Sequence, residues 1–162
     1  QCIGVDLQDS RLFPGSIFAN IIVTAPWSTL DDAWEAARLA GVDEDIRAMP
    51  MGMHTLVSEG GGGLSGGQKQ RILIARAIIS KPSILLFDEA TSALDNITQQ
   101  RVIQSLSSLK CTRIVIAHRL STVQDCDRII VLDQGKVVEE GTYEELMANK
   151  GLFYEFAVRQ IM

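Results

Sequence analysis

Residues 64–89 read LSGGQKQRILIARAIISKPSILLFDE, and the succession of compositions along this stretch decides the fold. A helix opens at about Ser65 or Gly66 and runs to Ile79. Its first turn is polar (Gln68, Lys69, Gln70, Arg71), and the rest (Ile72, Leu73, Ile74, Ala75, Ala77, Ile78) is apolar on nearly every face, the pattern of a buried helix. Lys81-Pro82 stops it, because proline has no N–H to give the helix ladder. Ile84-Leu85-Leu86-Phe87 is then a continuous apolar run of the kind found in strands covered on both faces, which implies a parallel, helix-covered sheet. Asp88 and Glu89 leave the carboxyl end of that strand, where open α/β sheets place their ligands. Taken alone, such a pair also fits a solvent-facing acidic turn.

At the other end of the stretch, Ser65-Gly66-Gly67-Gln68 sits at a loop-to-helix junction. The Ser hydroxyl and the Gly backbone N–H groups face outward at the positive end of a helix dipole, which makes an anion cradle. A Cβ at either glycine would keep phosphate oxygens from the backbone. A flexible linker would account for the preceding loop of Gly60 to Gly63, but not for the ordered Ser-Gly-Gly-Gln cap.

Downstream, Asp95 or Asn96 caps a helix presenting Val102, Ile103, Leu106 and Leu109, and Ile114 to Ala117 is a second apolar strand. Strand, helix, strand in this order is a right-handed crossover unit. His118 follows directly, either as a phosphate contact or as a structural histidine. Residues 128–132 and 136–139 flank Asp133-Gln134-Gly135 as a hairpin. Thr142-Tyr143-Glu144-Glu145 has the spacing of a capping box, and a last amphipathic helix carries Leu152, Phe153, Phe156, Ala157 and Ile161. Upstream, residues 2–7 suit a short strand ending at Gln8, which caps a turn or reaches a metal-bound water, and Phe13-Pro14-Gly15 is turn chemistry. Leu30, Ala33, Trp34 and Ala37 form one face of a helix capped by Ser28 or Thr29 and ended by Gly41. A shorter helix covers 42–49 and stops at Pro50.

A chain of 162 residues holds one domain, with room for a small inserted subdomain. The net charge of −5 argues against a nucleic-acid partner held on a broad basic face. The run Ile72 to Ile79 is broken by Arg76, and no stretch reaches the ~18 apolar residues of a membrane span, so the chain itself is expected to be soluble. Three cysteines, Cys2, Cys111 and Cys126, at no metal-site spacing fit a reducing compartment.

Gln8, the cradle at 65–68, Asp88-Glu89 and His118 thus leave one expected sheet edge in a fixed order, and here the sequence resembles the nucleotide-binding domain of ATP-binding cassette (ABC) transporters. Residues 64–71 resemble the family's signature motif, Ile84 to Glu89 its Walker B strand, Ser92-Ala93-Leu94-Asp95 its D-loop, Ile116 to Arg119 its switch-histidine loop and Leu7-Gln8-Asp9 its Q-loop. Phe13 to Ile17 and Ile129 to Gly141 are most similar to exporter-type members. The resemblance implies an α/β fold: a truncated P-loop NTPase core with a mostly parallel sheet and a helical signature subdomain. Residues 1–15 would supply a core strand and the Q-loop, 16–80 the helical subdomain, and 81–162 the rest of the core.

The resemblance also implies ATP and Mg²⁺ as cofactors. Glu89 would be the general base or water-orienting carboxylate, Asp88 the Mg²⁺ ligand, His118 the γ-phosphate contact and Gln8 the water or Mg²⁺ sensor. Ser65, Gly66, Gly67 and Gln68 would face a nucleotide held by a second nucleotide-binding domain, with Asp95 contacting across that dimer. Transmembrane domains would be the other partner, placing the assembly at the cytoplasmic face of a membrane. A soluble ABC ATPase without transport, and a non-catalytic interaction module that retains the motifs, are the alternatives.

The family's phosphate loop, Gly-x-x-x-x-Gly-Lys-Ser/Thr, does not occur: Gly62 and Gly67 are correctly spaced, but Gln68 stands where Lys is required. The chain is therefore expected to be the C-terminal portion of such a domain, inactive alone and prone to self-association. Asp6 departs from a position usually apolar in the family, and the glycines after Glu59 blur an otherwise fitting loop.

Overall fold

The computed structural model describes residues 3–6, 11–88 and 94–161. Gln8, Glu89 and the Ser92-Ala93 part of the D-loop stretch lie outside the described residues, as do Cys2 and Leu7 at the ends of the first expected strand. The chain divides into two compact units, 1–116 and 117–162.

The first unit is built on a three-stranded parallel sheet in the order β1 (Ile3–Asp6), β4 (Ile84–Asp88), β5 (Thr112–Ile116). Register pairs Gly4 with Leu85, and Phe87 with Val115. Two helices serve this sheet, α4 (Gly66–Ile78) and α5 (Asn96–Leu106). Between the first two strands of the sheet lies a helical segment: α1 (Ile17–Ile22), α2 (Leu30–Leu39) and α3 (Asp43–Arg47), with a two-stranded antiparallel ribbon of β2 (Gly15–Ser16) and β3 (Leu56–Val57). Fully buried Ile17, Ile21, Ala33, Ala37, Ile46 and Ile72 belong to one apolar cluster that continues to Leu85 and Leu106.

Side chains alternate across a strand, so Leu85 shares a sheet face with Phe87 and Val115. Leu85 is fully buried, and the other two line a cavity with α4 and α5 residues. The opposite face carries Ile3, Ile114 and Ile116, exposed at 59, 50 and 55%. On the central strand, Ile84 and Leu86 of that face are half-buried, so the expected covering of both faces fails at β5 and at Ile3, not along β4. The helices lie on one face, and β5 is an edge strand of this sheet, so an apolar run there does not mean burial.

Gly4 permits the close approach of α4 to β1. A Cβ on Gly4 would overlap the Ala77 carbonyl oxygen and stand 2.9 Å from both Leu85 Cδ1 and Pro82 Cγ. Backbone cannot step aside as a flexible side-chain end can, so Gly4→Ala is expected to lower stability by about 3 kcal/mol, the upper end for overpacking, read as a lower urea midpoint at unchanged slope. A variant as stable as the parent would show that this contact yields.

The sequence reading assigns no helix to 17–22. α1 is short and rich in β-branched residues, so intrinsic propensity is silent. It forms because Ser16 caps it, accepting the Ala19 N–H at 3.0 Å, and because its Ile17, Asn20 and Ile21 are buried. α2 uses Thr29, not Ser28, as its cap, with Asp32 completing a capping box. The short helix after it covers only Asp43–Arg47.

The second unit contains α6 (Leu120–Val123), the hairpin β6 (Ile129–Asp133) and β7 (Lys136–Gly141), α7 (Tyr143–Asn149) and α8 (Leu152–Ile161). Gln134 and Gly135 both take positive φ, 46° and 76°, the signature of the two-residue type I′ turn that matches strand twist. Thr142 and Glu145 form the expected capping box. Leu120, Ile129, Leu146, Phe153 and Ala157 make this unit's own core. Among the described residues, no helix is long and apolar enough to cross a membrane.

Candidate functional site

Ser65 ends the glycine loop in extended conformation and caps α4. Its Oγ accepts the Gln68 N–H at 3.1 Å, and the Gln68 Oε1 accepts the Ser65 N–H at 3.0 Å. This reciprocal box satisfies two of the terminal donors. The next helical bond runs from the Lys69 N–H to the Ser65 carbonyl. Among the described residues, the N–H groups of Gly66 and Gly67 have no acceptor. They are left at the positive end of the helix dipole, the arrangement that receives an anion.

The cradle is held in place by a residue the sequence reading does not single out. Asp45 of α3 accepts from Gln68 Nε2 at 2.9 Å and pairs with Arg71 Nη1 at 2.8 Å. Arg71, whose side chain is 14% exposed, also donates from Nε to the Gly67 carbonyl at 3.2 Å and from Nη1 to the Gly41 carbonyl. The Gln68 carboxamide is thus committed at both of its ends, and the exposed part of the cradle is Ser65 with the glycine backbone. In the sequence, Asp45 is one of three consecutive acidic residues, Asp43, Glu44 and Asp45, and nothing local separates it from its neighbours. Its partner Gln68 lies 23 positions away.

Asp88 is the last residue of β4 and is half-buried. It borders a cavity of about 50 Å³ between β4, β5, α4 and α5, together with Gln70, Leu94 and Gln99. Asp88 thus shares this cavity with Gln70 and Ile74 of α4. Asp95 caps α5: Oδ1 accepts the Thr98 N–H at 2.9 Å and Oδ2 accepts the Thr98 hydroxyl at 2.7 Å. These bonds, the backbone one foremost, hold its carboxyl below the usual carboxylate range.

His118 opens the second unit as an exposed residue. Its carbonyl accepts from Gln160 Nε2 at 2.7 Å, and Gln160 Oε1 accepts the Leu120 N–H at 2.8 Å. No motif in the sequence marks Gln160.

The family model described as "ABC transporter" matches residues 1–92, more than half of the chain. The chain is 48% identical over 156 residues to the alpha-hemolysin translocation ATP-binding protein HlyB of Escherichia coli O157:H7, a match covering 95% of this chain and 22% of that protein. It is 48% identical over 161 residues to ABC transporter B family member 2 of Dictyostelium discoideum, covering 98% of this chain and 12% of that one. Its fold is similar to the structure of a bacterial Atm1-family ABC exporter with ATP bound, at a TM-score of 0.93 and 42% identity, over 99% of this chain and 28% of that chain. The chain thus spans about a fifth or less of the length of these curated relatives. An α/β fold with a parallel sheet, a capped glycine-rich helix terminus and a family match over most of the first unit converge: the chain belongs to the ABC transporter family.

Proposed function

We propose that this chain is part of the ATP-hydrolysing subunit of an ABC exporter, coupling ATP binding and hydrolysis to export, and that it presents the amino terminus of α4 to a nucleotide held by a second nucleotide-binding domain. The observation that carries the reading is the pair of Gly66 and Gly67 N–H groups at the terminus of a helix whose capping box and Asp45 anchor hold the Gln68 side chain in place. The names of the relatives, a translocation ATP-binding protein and an exporter with ATP bound, support it.

MgATP, when bound, supplies the phosphoryl group. Asp88 suits the metal by donor class, being a hard carboxylate oxygen at the carboxyl end of a parallel strand. Glu89 orients the attacking water, Gln8 meets the metal or its water, His118 contacts the γ-phosphate, and Asp95, already holding α5, lies at the domain dimer. Transmembrane domains complete the assembly at the cytoplasmic face of the membrane. The exposed apolar face of the sheet favours self-association where it has no other cover.

Magnitudes support a shared site. Micromolar affinity needs ~8 kcal/mol, whereas one helix terminus contributes ~0.3–1 kcal/mol and at most ~2. Within these 162 residues no Gly-x-x-x-x-Gly-Lys-Ser/Thr loop adds the rest. Calorimetric titration of the chain with MgATP, its fold verified by circular dichroism, is therefore expected to give no binding tighter than roughly 1 mM, ~4 kcal/mol. Micromolar binding would overturn the shared site, because the chain would then hold nucleotide unaided.

A further inference from the structure

The second unit contains a contact aimed at the histidine segment. α8 buries Phe153 and Ala157 in the core with Leu120 and Leu146, and Gln160 follows at helical spacing on the same face. The start of α8 is pinned as well, since Glu139 of β7 accepts the Phe153 N–H at 2.7 Å. A helix fixed at one end and packed along this face delivers the Gln160 carboxamide to the backbone on both sides of Arg119. There Nε2 donates to the His118 carbonyl at 2.7 Å and Oε1 accepts the Leu120 N–H at 2.8 Å. One planar amide thus spans residues two apart, restraining the torsions between them and the direction in which the His118 Cα–Cβ bond leaves the chain.

We propose that Gln160 is a positioning residue for His118, acting through this two-point clasp of the main chain. The proposal rests on the reading of His118 as the γ-phosphate contact. Its chemical requirement is specific: one group must donate and accept in one plane. Leucine fills similar space and does neither. Glutamate, when ionised, accepts from Leu120 but sets an oxygen against the His118 carbonyl.

The test uses the intact exporter. Gln160→Leu is expected to lower kcat about tenfold, within the range that a displaced catalytic group costs, with KM for ATP changed less than twofold. Hydrogen–deuterium exchange of a peptide spanning 117–123 should quicken while that of 143–149 stays as in the parent, a pattern that general loosening of the unit would not give. Gln160→Glu should move kcat and exchange in the same direction, and it serves if the leucine variant does not assemble. His118→Ala is measured alongside. Loss of turnover in His118→Ala, together with parental kcat and exchange in the Gln160 variants, would overturn the positioning role alone. Parental turnover in His118→Ala would overturn the reading of His118 on which that role depends.

Discussion

On the proposed function, Gly67→Asp in the intact protein is expected to lower ATP turnover about 10³-fold while the same substitution stabilises α4 itself. The two effects have opposite signs because they involve the same carboxylate in different company. For folding, an acidic residue in the first turn of α4 meets the positive end of the dipole and stabilises by ~0.3–1 kcal/mol, and aspartate has a better helix propensity than the glycine it replaces. For function, that carboxylate stands where a phosphate would accept from the Gly66 and Gly67 N–H groups. Two unit charges about 4 Å apart near a protein surface repel by about 4 kcal/mol, close to a factor of 10³ in rate. Gly67→Ala keeps the N–H group and adds only a methyl, so it should fall between. Phosphate release and thermal midpoints measured on the same preparations separate the two effects. Turnover within tenfold of the parent in Gly67→Asp would remove this helix terminus from the nucleotide.

Arg76→Met is expected to lower stability by about 3 kcal/mol. Its guanidinium donates from Nε to the Asn20 carbonyl at 2.8 Å, from Nη2 to Asn20 Oδ1 at 2.7 Å and from Nη1 to the Arg11 carbonyl at 3.0 Å. It also lies 5.4 Å from the centroid of the Phe13 ring. Asn20 is itself fully buried, accepts the Phe13 N–H and donates to the Phe13 and Ser16 carbonyls. Hydrogen bonds from charged donors contribute ~1.5–3 kcal/mol each, and bonds shared in one network do not add, so the expected total is near one such bond and a half. For a chain of this size that is a fall of roughly 6–12 °C in midpoint. Arg76→Lys should lose most of the same stability, since a point charge cannot serve the fork's separate acceptors. A lysine variant as stable as the parent would mean that charge alone suffices.

What could be read from the sequence follows the range of each interaction. The helix at 66–78 and the strand at 84–88 are legible because composition and a proline break are local signals. The hairpin around Gln134-Gly135 and the capping box at Thr142 are legible for the same reason, whereas the turn type and the reciprocal box at Ser65 come from the structure. The candidate cradle is visible in a single run of residues, since Ser65 to Gln68 are contiguous. The hidden parts are made by distant partners. Asp45 meets Gln68 across 23 positions, and Gln160 meets Leu120 across 40. The exposure of β5 is not legible because an apolar strand looks the same in sequence whether one or both of its faces are covered. α1 was missed because a six-residue helix rests on tertiary burial.

α4 is 13 residues long, about 20 Å at 1.5 Å per residue, and both of its ends are tied to neighbours. Near its start, Gln68 and Arg71 grip Asp45; near its end, Arg76 grips Asn20 and the carbonyl of Arg11. In mechanical terms it is a strut pinned at each extremity. Both grips are made by hydrogen-bonded guanidinium groups, so loss of Arg76 is expected to release the carboxyl-terminal end of α4 while Arg71 still anchors the other.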